Sequence, residues 1–346
     1  MGRFEKYLAL WVALCMGLEL LLSQTVPSVG EAINSLQVHG VSIPIGICLF
    51  LMMYPAMLNL QLAELRKLRS NPKPILITLF SNWILAPLVA LGLAVLFLRG
   101  NQQLMVAVLL LGASPCTAMV LVWGRLADGN QEQNVVNTSL NTITIMILYV
   151  PMVSLLTGIQ DIPLDRALLA ISAGIFIGAP LLIGIASKRL LVRAKGRQWF
   201  EESYRPVVGK VAIAALLVTL VVLFALNGEV LLHHFDKLLL VSAPLLIGFA
   251  IVVGFNLVVT RALKLHYREA IITTIIGSSS HFEIAIAAAV GMYGVGSYAA
   301  LGTTMGLFWE VPIMLSLVHV GKALRKRGFW EGEATRGQAP AGRDDV

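Results

Sequence analysis

Apolar residues fill this chain in windows about twenty long, and the stretches between them are mostly short and polar. A helix rises 1.5 Å per residue, so ~20 apolar residues cross the ~30 Å of hydrocarbon in a bilayer. Ten windows meet that length: 7–25, 41–60, 75–98, 103–124, 134–157, 167–187, 207–227, 238–260, 270–291 and 297–321. The pattern predicts an all-α polytopic membrane protein of ten transmembrane helices. The gaps leave no room for a separate soluble domain, so residues 1–327 read as one membrane domain. Residues 328–346, polar and rich in Gly, Ala and charge towards the end, read as a disordered tail.

Composition agrees with the windows. Of 346 residues, 57% are hydrophobic and 13% charged, against roughly a quarter charged in soluble domains. The first window follows Arg3 and Lys6, as a signal peptide would, but Glu19 interrupts it and no small-x-small cleavage site closes it. It reads as a span. Net charge is +7, which in a soluble protein would suggest nucleic acid. Here position decides. With the N-terminus inside, Arg99, Arg166 and Lys237 alone of the 26 Lys and Arg residues fall outside. Such asymmetry places both termini in the cytoplasm of a cell-membrane protein and removes the nucleic-acid reading.

The windows also repeat. Spans one to five recur as spans six to ten at an offset close to 163 residues, giving repeats of about 7–157 and 167–325. An odd number of helices per repeat forces opposite orientation, and inverted repeats mark secondary transporters, whose sites lie where discontinuous helices meet near the midplane. Spans four and nine carry the local match. Gly112, Ser114 and Cys116 read GxSxC, and 165 residues later Gly277, Ser279 and His281 read GxSxH. Pro115 removes a backbone donor, and the serines at 278–280 compete for backbone hydrogen bonds, so both spans are expected to break there, with Gly112 and Gly277 as part of the breaks. Unwound backbone at that depth must face protein or a cavity.

Ionisable groups inside the spans are few and costly, which marks them as functional unless they lie near an end. Glu19 lies near an end. Glu283 follows the second break, Glu310 lies mid-span before Val311-Pro312, and His281 lies in the break itself. Cys15 and Cys48 read as small hydrophobes. Cys116 differs, because unpaired backbone donors and half-helix dipoles at a break favour a thiolate. No CxxC pair or zinc spacing is present. A single soft sulfur prefers a thiophilic centre over a hard cation, and one thiolate, unlike three, can let it go.

With these residues in view, the chain resembles the arsenical-resistance-three family of arsenite permeases, within the bile acid/arsenite/riboflavin transporter superfamily. The matching stretches are IPIGICLFLMMYPAML at 43–58, NWILAPL at 82–88, PCTAMVLVW at 115–123, FEIAIAAAV at 282–290 and EVPIMLSLV at 310–318. The resemblance implies two inverted five-helix repeats forming panel and core, with broken helices four and nine crossing. It implies export of arsenite, and of antimonite, in exchange for protons, with no cofactor. By position it assigns As(III) coordination to Cys116 and acidic roles to Glu283 and Glu310. Ser114, Thr117, Ser279 and Asn141 join them as neighbours in the spans concerned. Two departures stand out. Thr142 follows Asn141 where the family shows an acid, and Ser280-His281 precede Phe282-Glu283 where it shows Asn residues.

Two other readings compete. A sodium-coupled organic anion symporter on the same fold carries a Gln-Asn pair after its FE, whereas Ile284–Ala289 offers none. An intramembrane thiol enzyme would pair Cys116 with His281 as base.

Overall fold

A computed structural model describes residues 14, 37–38, 41–58, 72–117, 119–233, 235–294 and 296–330. The first predicted span, with Cys15 and Glu19, lies outside the described residues except for Leu14. Helix fills the described residues of the other nine windows, apart from the end residues 98 and 297, a short strand at 41–42 and a break within each of 103–124 and 270–291. A two-residue antiparallel pair, β1 (Gln37–Val38) with β2 (Val41–Ser42), leads into α1 (Ile43–Leu58). There follow α2 (Pro72–Phe97), α3 (Gln102–Gly112), α4 (Val120–Leu126), α5 (Gln131–Ile159) and α6 (Arg166–Lys195). The second half comprises α7 (Arg205–His233), α8 (Phe235–Ala262), α9 (Tyr267–Ser278), α10 (Phe282–Tyr293) and α11 (Tyr298–Lys326).

Polar side chains fix where several helices begin. Asn101, Asn130, Asp165 and Ser297 each accept a backbone N–H from the first turn of α3, α5, α6 and α11, satisfying donors that have no partner within the helix. Among the described residues three segments are π-helical: Ser81–Leu85 in α2, Gly174–Gly178 in α6 and Phe200–Tyr204 just before α7. Each runs directly into an X-Pro pair, with Pro87, Pro180 and Pro206. Proline lacks the N–H of the regular ladder and its ring crowds the carbonyl four residues back, and one wider turn accommodates both.

Leu76, Leu88, Leu96, Ile147, Leu182 and Val258 point outward, as lipid-facing side chains do. Helix α11 is different. Two thirds of its most apolar window is buried inside the protein, against one third for α2, α5 and α8. Groups on α11 therefore face protein, and Glu310 is among them.

The ends of α4, α8 and α11 and the start of α9 are tied by the residues that follow α11. Trp330 is buried, donates to Thr260 Oγ1 at 3.2 Å and packs its ring on Tyr267, whose hydroxyl donates to the Ala127 carbonyl at 2.7 Å. Arg261 lies over the Phe329 ring. The tail expected from residue 328 thus has a packed start. An aromatic pair at the end of a helix can bury itself however polar its sequel, and residues 331–346 lie outside the described residues. Trp330→Ala is expected to destabilise the protein by about 3–5 kcal/mol, the usual cost of emptying a buried Trp site. Thermal unfolding in detergent checks this, and an unchanged midpoint would show the clamp to be idle.

Candidate transport site

Both predicted breaks are present, and they touch each other. Between α3 and α4 the chain runs extended through Ser114, Pro115 and Cys116, and between α9 and α10 through Ser279, Ser280 and His281. Pro115 and Ser280 form an antiparallel bridge. The Cys116 N–H donates to the Ser279 carbonyl at 3.1 Å, and the His281 N–H donates to the Ser114 carbonyl at 2.6 Å. Backbone groups released by each break are thus taken up by the other, as buried irregular backbone requires. Proline costs this ribbon nothing, because its missing N–H faces away from the pairing.

Gly112 and Gly277 are not in the breaks. Gly112 is the last residue of α3 and Gly277 the last but one of α9, and both sit in close approaches: a Cβ on Gly112 would lie 2.3 Å from Ala90 Cβ, and one on Gly277 would be tight at 3.0 Å from Asn256 Oδ1. Their shared spacing reflects close helix approach on both sides of the crossing.

Helices α4 and α10 both begin at the crossing, so their positive N-terminal ends meet there, while α3 and α9 end there with their carbonyls. Around this centre the ionisable groups are paired. Glu310 is buried and accepts hydrogen bonds from the hydroxyls of Ser279 and of Ser280, the latter at 2.6 Å. Glu283, in the first turn of α10, binds His281 Nδ1 at 2.7 Å. The His281 ring is fully buried and its Nε2 has no partner among the described residues. With Glu283 ionised, Nδ1 carries the hydrogen; Nε2 is then a lone pair awaiting a donor in the neutral ring and an N–H awaiting an acceptor in the charged one. Cys116 is 1% exposed, and its carbonyl accepts from Asn141 Nδ2 at 3.0 Å. Thr117, next to it, is buried with its hydroxyl unpartnered among the described residues.

Asn82 and Asn256 escaped the sequence reading. Asn82 donates to Asn141 Oδ1 at 3.1 Å, extending the chain of amides that ends on Cys116. Asn256 accepts from Ser81 at 2.8 Å and reaches Ser278 Oγ at 3.3 Å, so α2 and α8 brace α9 from both sides. Their only signal was an amide alone in an apolar span. Thr142, where an acid was expected, turns its hydroxyl back to the Thr138 carbonyl at 3.0 Å, as a threonine inside a helix does.

A cavity of about 80 Å³ opens beside the crossing, between α2, α3, α8 and the two breaks. Ser114 and Ser278 to Ser280 line it, with Asn82 from α2. Among the described residues, Cys116, His281, Glu283 and Glu310 do not. No three His, Cys, Asp or Glu side chains gather among the described residues as a metal ion would require.

Five membrane-length helices among the described residues, with two further spans broken and joined at their breaks beside buried carboxyls, make the architecture of a multi-pass membrane transporter. The orphaned Nε2 of His281 makes no thiol–imidazole pair. Comparison with known proteins agrees. The model of the Sodium Bile acid symporter family matches residues 46–234, more than half of the chain. The Arsenical-resistance protein Acr3 of Alkaliphilus metalliredigens is 34% identical, covering 97% of this chain and 96% of that protein. Its namesake from Corynebacterium glutamicum is 27% identical over 91% of this chain and 88% of its own length. An uncharacterized transporter of Synechocystis is 38% identical, with 95% and 90% covered. This chain belongs to the Acr3 family of arsenical-resistance transporters, within the sodium bile acid symporter family.

Proposed function

We propose that the protein is an arsenite efflux permease of the cell membrane, working on antimonite as well, that exchanges its substrate for protons. Its fold in this reading is two inverted five-helix repeats within residues 1–327, with both termini and the 331–346 tail in the cytoplasm. The observation that carries the proposal is a lone thiol, Cys116, in a helix break whose partner break holds Ser279, Ser280 and His281 against two buried carboxyls.

Arsenous acid, neutral at cytoplasmic pH, exchanges one hydroxyl for the Cys116 sulfur. The S–H and As–O bonds break, an S–As bond forms, and the thiol hydrogen leaves with the hydroxyl as water; arsenic stays trivalent. The thiol is sealed in this structure, so coordination needs the crossing to open, and domain rocking supplies such a movement.

Glu310 supplies the proton link. Two serine hydroxyls and the Ser280 backbone N–H donate to it, so its carboxylate accepts hydrogens and donates none. A proton added to Glu310 must itself be donated, and the serine that accepts it turns its own hydrogen away. A proton on Glu310 thereby changes the hydrogen bonds offered at the cavity wall.

The test is arsenite uptake into everted membrane vesicles. Uptake is expected to rise with an imposed pH gradient and to ignore sodium. Uptake that needs a sodium gradient would favour the symporter reading that the family's description also fits, and none under either gradient would sink the arsenite assignment.

A further inference from the structure

The cavity beside the crossing is separate from the sulfur, and its polar atoms have a common bias. A buried water needs roughly 10–15 Å³ of such space, so about 80 Å³ takes a solute of several heavy atoms, such as one central atom bearing three oxygens. The hydroxyl hydrogens of the lining serines are mostly committed elsewhere. Ser114 donates to the Leu111 carbonyl at 3.0 Å, while Ser279 and Ser280 donate to Glu310. Asn82 has one of its two amide hydrogens on Asn141, and Ser278 accepts from Asn256 and keeps its own hydrogen. Against these two hydrogens stand the lone pairs of four serine oxygens and the Asn82 carbonyl, so the wall offers more acceptors than donors. The rest of the wall is apolar, with Val89, Val108 and Phe249 among its residues.

That combination discriminates between ligand classes. An anion brings only acceptors and would meet lone pairs. A hard cation needs about six or more oxygens at about 2.3–2.6 Å, as calcium sites show, and a chamber this wide with mostly apolar walls cannot close around one. A neutral molecule with several O–H donors satisfies the serine oxygens and loses little on leaving water.

We infer that the cavity is a receptor for a small neutral triol, held through its O–H hydrogens, and that it works without the Cys116 sulfur. The inference rests on the transporter reading above and adds to it a first recognition step, in which arsenous acid is selected by its hydroxyls before any thiol exchange. A triol whose central atom has no affinity for sulfur should therefore enter as well.

Boric acid is that probe. In everted vesicles it is expected to compete with arsenite, raising the apparent KM about threefold at twice its own dissociation constant, with the maximal rate unchanged. With purified full-length protein in detergent, boron-11 line broadening should report binding that persists in Cys116→Ser. Gly248→Leu should abolish it. Gly248 lines the cavity, and an added Cβ there meets nothing nearer than 3.5 Å, so the variant fills the space without a clash at the backbone. Replacing a helical glycine also raises helix propensity.

If arsenite is transported and boric acid neither competes nor broadens, the cavity assignment is overturned while the permease reading stands. Broadening that Gly248→Leu leaves intact, or that Cys116→Ser removes, overturns it equally. Should the vesicles carry no arsenite, the permease reading fails, and the binding arm alone decides the cavity.

Discussion

Cys116→Ser is expected to reduce arsenite uptake to that of vesicles lacking the protein, with no loss of folded protein from the membrane. The backbone of Cys116 is held on both sides, its N–H on the Ser279 carbonyl and its carbonyl under Asn141, and neither bond involves the side chain. Serine is nearly isosteric and can keep both. What it cannot do is form a bond to trivalent arsenic that survives in water, because oxygen offers the substrate nothing its own hydroxyls lack. Cys48, half-buried on α1 and far along the chain from either break, should tolerate serine with most activity kept. Full resistance to arsenite in cells carrying Cys116→Ser would refute thiol coordination. Because the thiol is only 1% exposed, maleimide should also label Cys116 slowly, and turnover conditions that open the crossing should speed labelling.

Much of this site was legible in the chain before any coordinates. The breaks were readable because Pro115 and the serines at 278–280 are locally incompatible with an apolar helix, and local incompatibility is a sequence property. The ribbon that joins the breaks was not, since Pro115 and Ser280 are 165 residues apart and nothing local marks a backbone pair. The two glycines of the repeat motif were assigned to the breaks from spacing alone. The structure puts both inside helices, because a tight contact with Ala90 or Asn256 leaves no periodic trace. Asn82 and Asn256 were missed for a related reason. A single amide in an apolar span reads the same whether it braces a neighbour or faces nothing, and only the packed partner tells the two apart.

Glu310→Gln is expected to uncouple arsenite movement from the pH gradient while leaving exchange of arsenite for arsenite intact. Glutamine keeps one acceptor oxygen and presents an NH₂ in place of the other, so one of Ser279 and Ser280 continues to donate and the other must accept. That is the pattern a protonated Glu310 imposes, now fixed. The variant should bind and exchange substrate, yet gradient-driven uptake should fall to its rate without a gradient. Glu283→Gln and His281→Asn act on a different pair, in which the imidazole and the carboxylate answer each other at 2.7 Å and neither lines the cavity. A proton shared within that pair changes no hydroxyl at the wall, so these variants should weaken transport without erasing its response to pH. The three are compared by arsenite-driven proton flux and by counterflow in the same vesicles. Normal proton flux through Glu310→Gln would remove Glu310 from the coupling path, and loss of flux confined to His281→Asn would move the carrier to the His281–Glu283 pair.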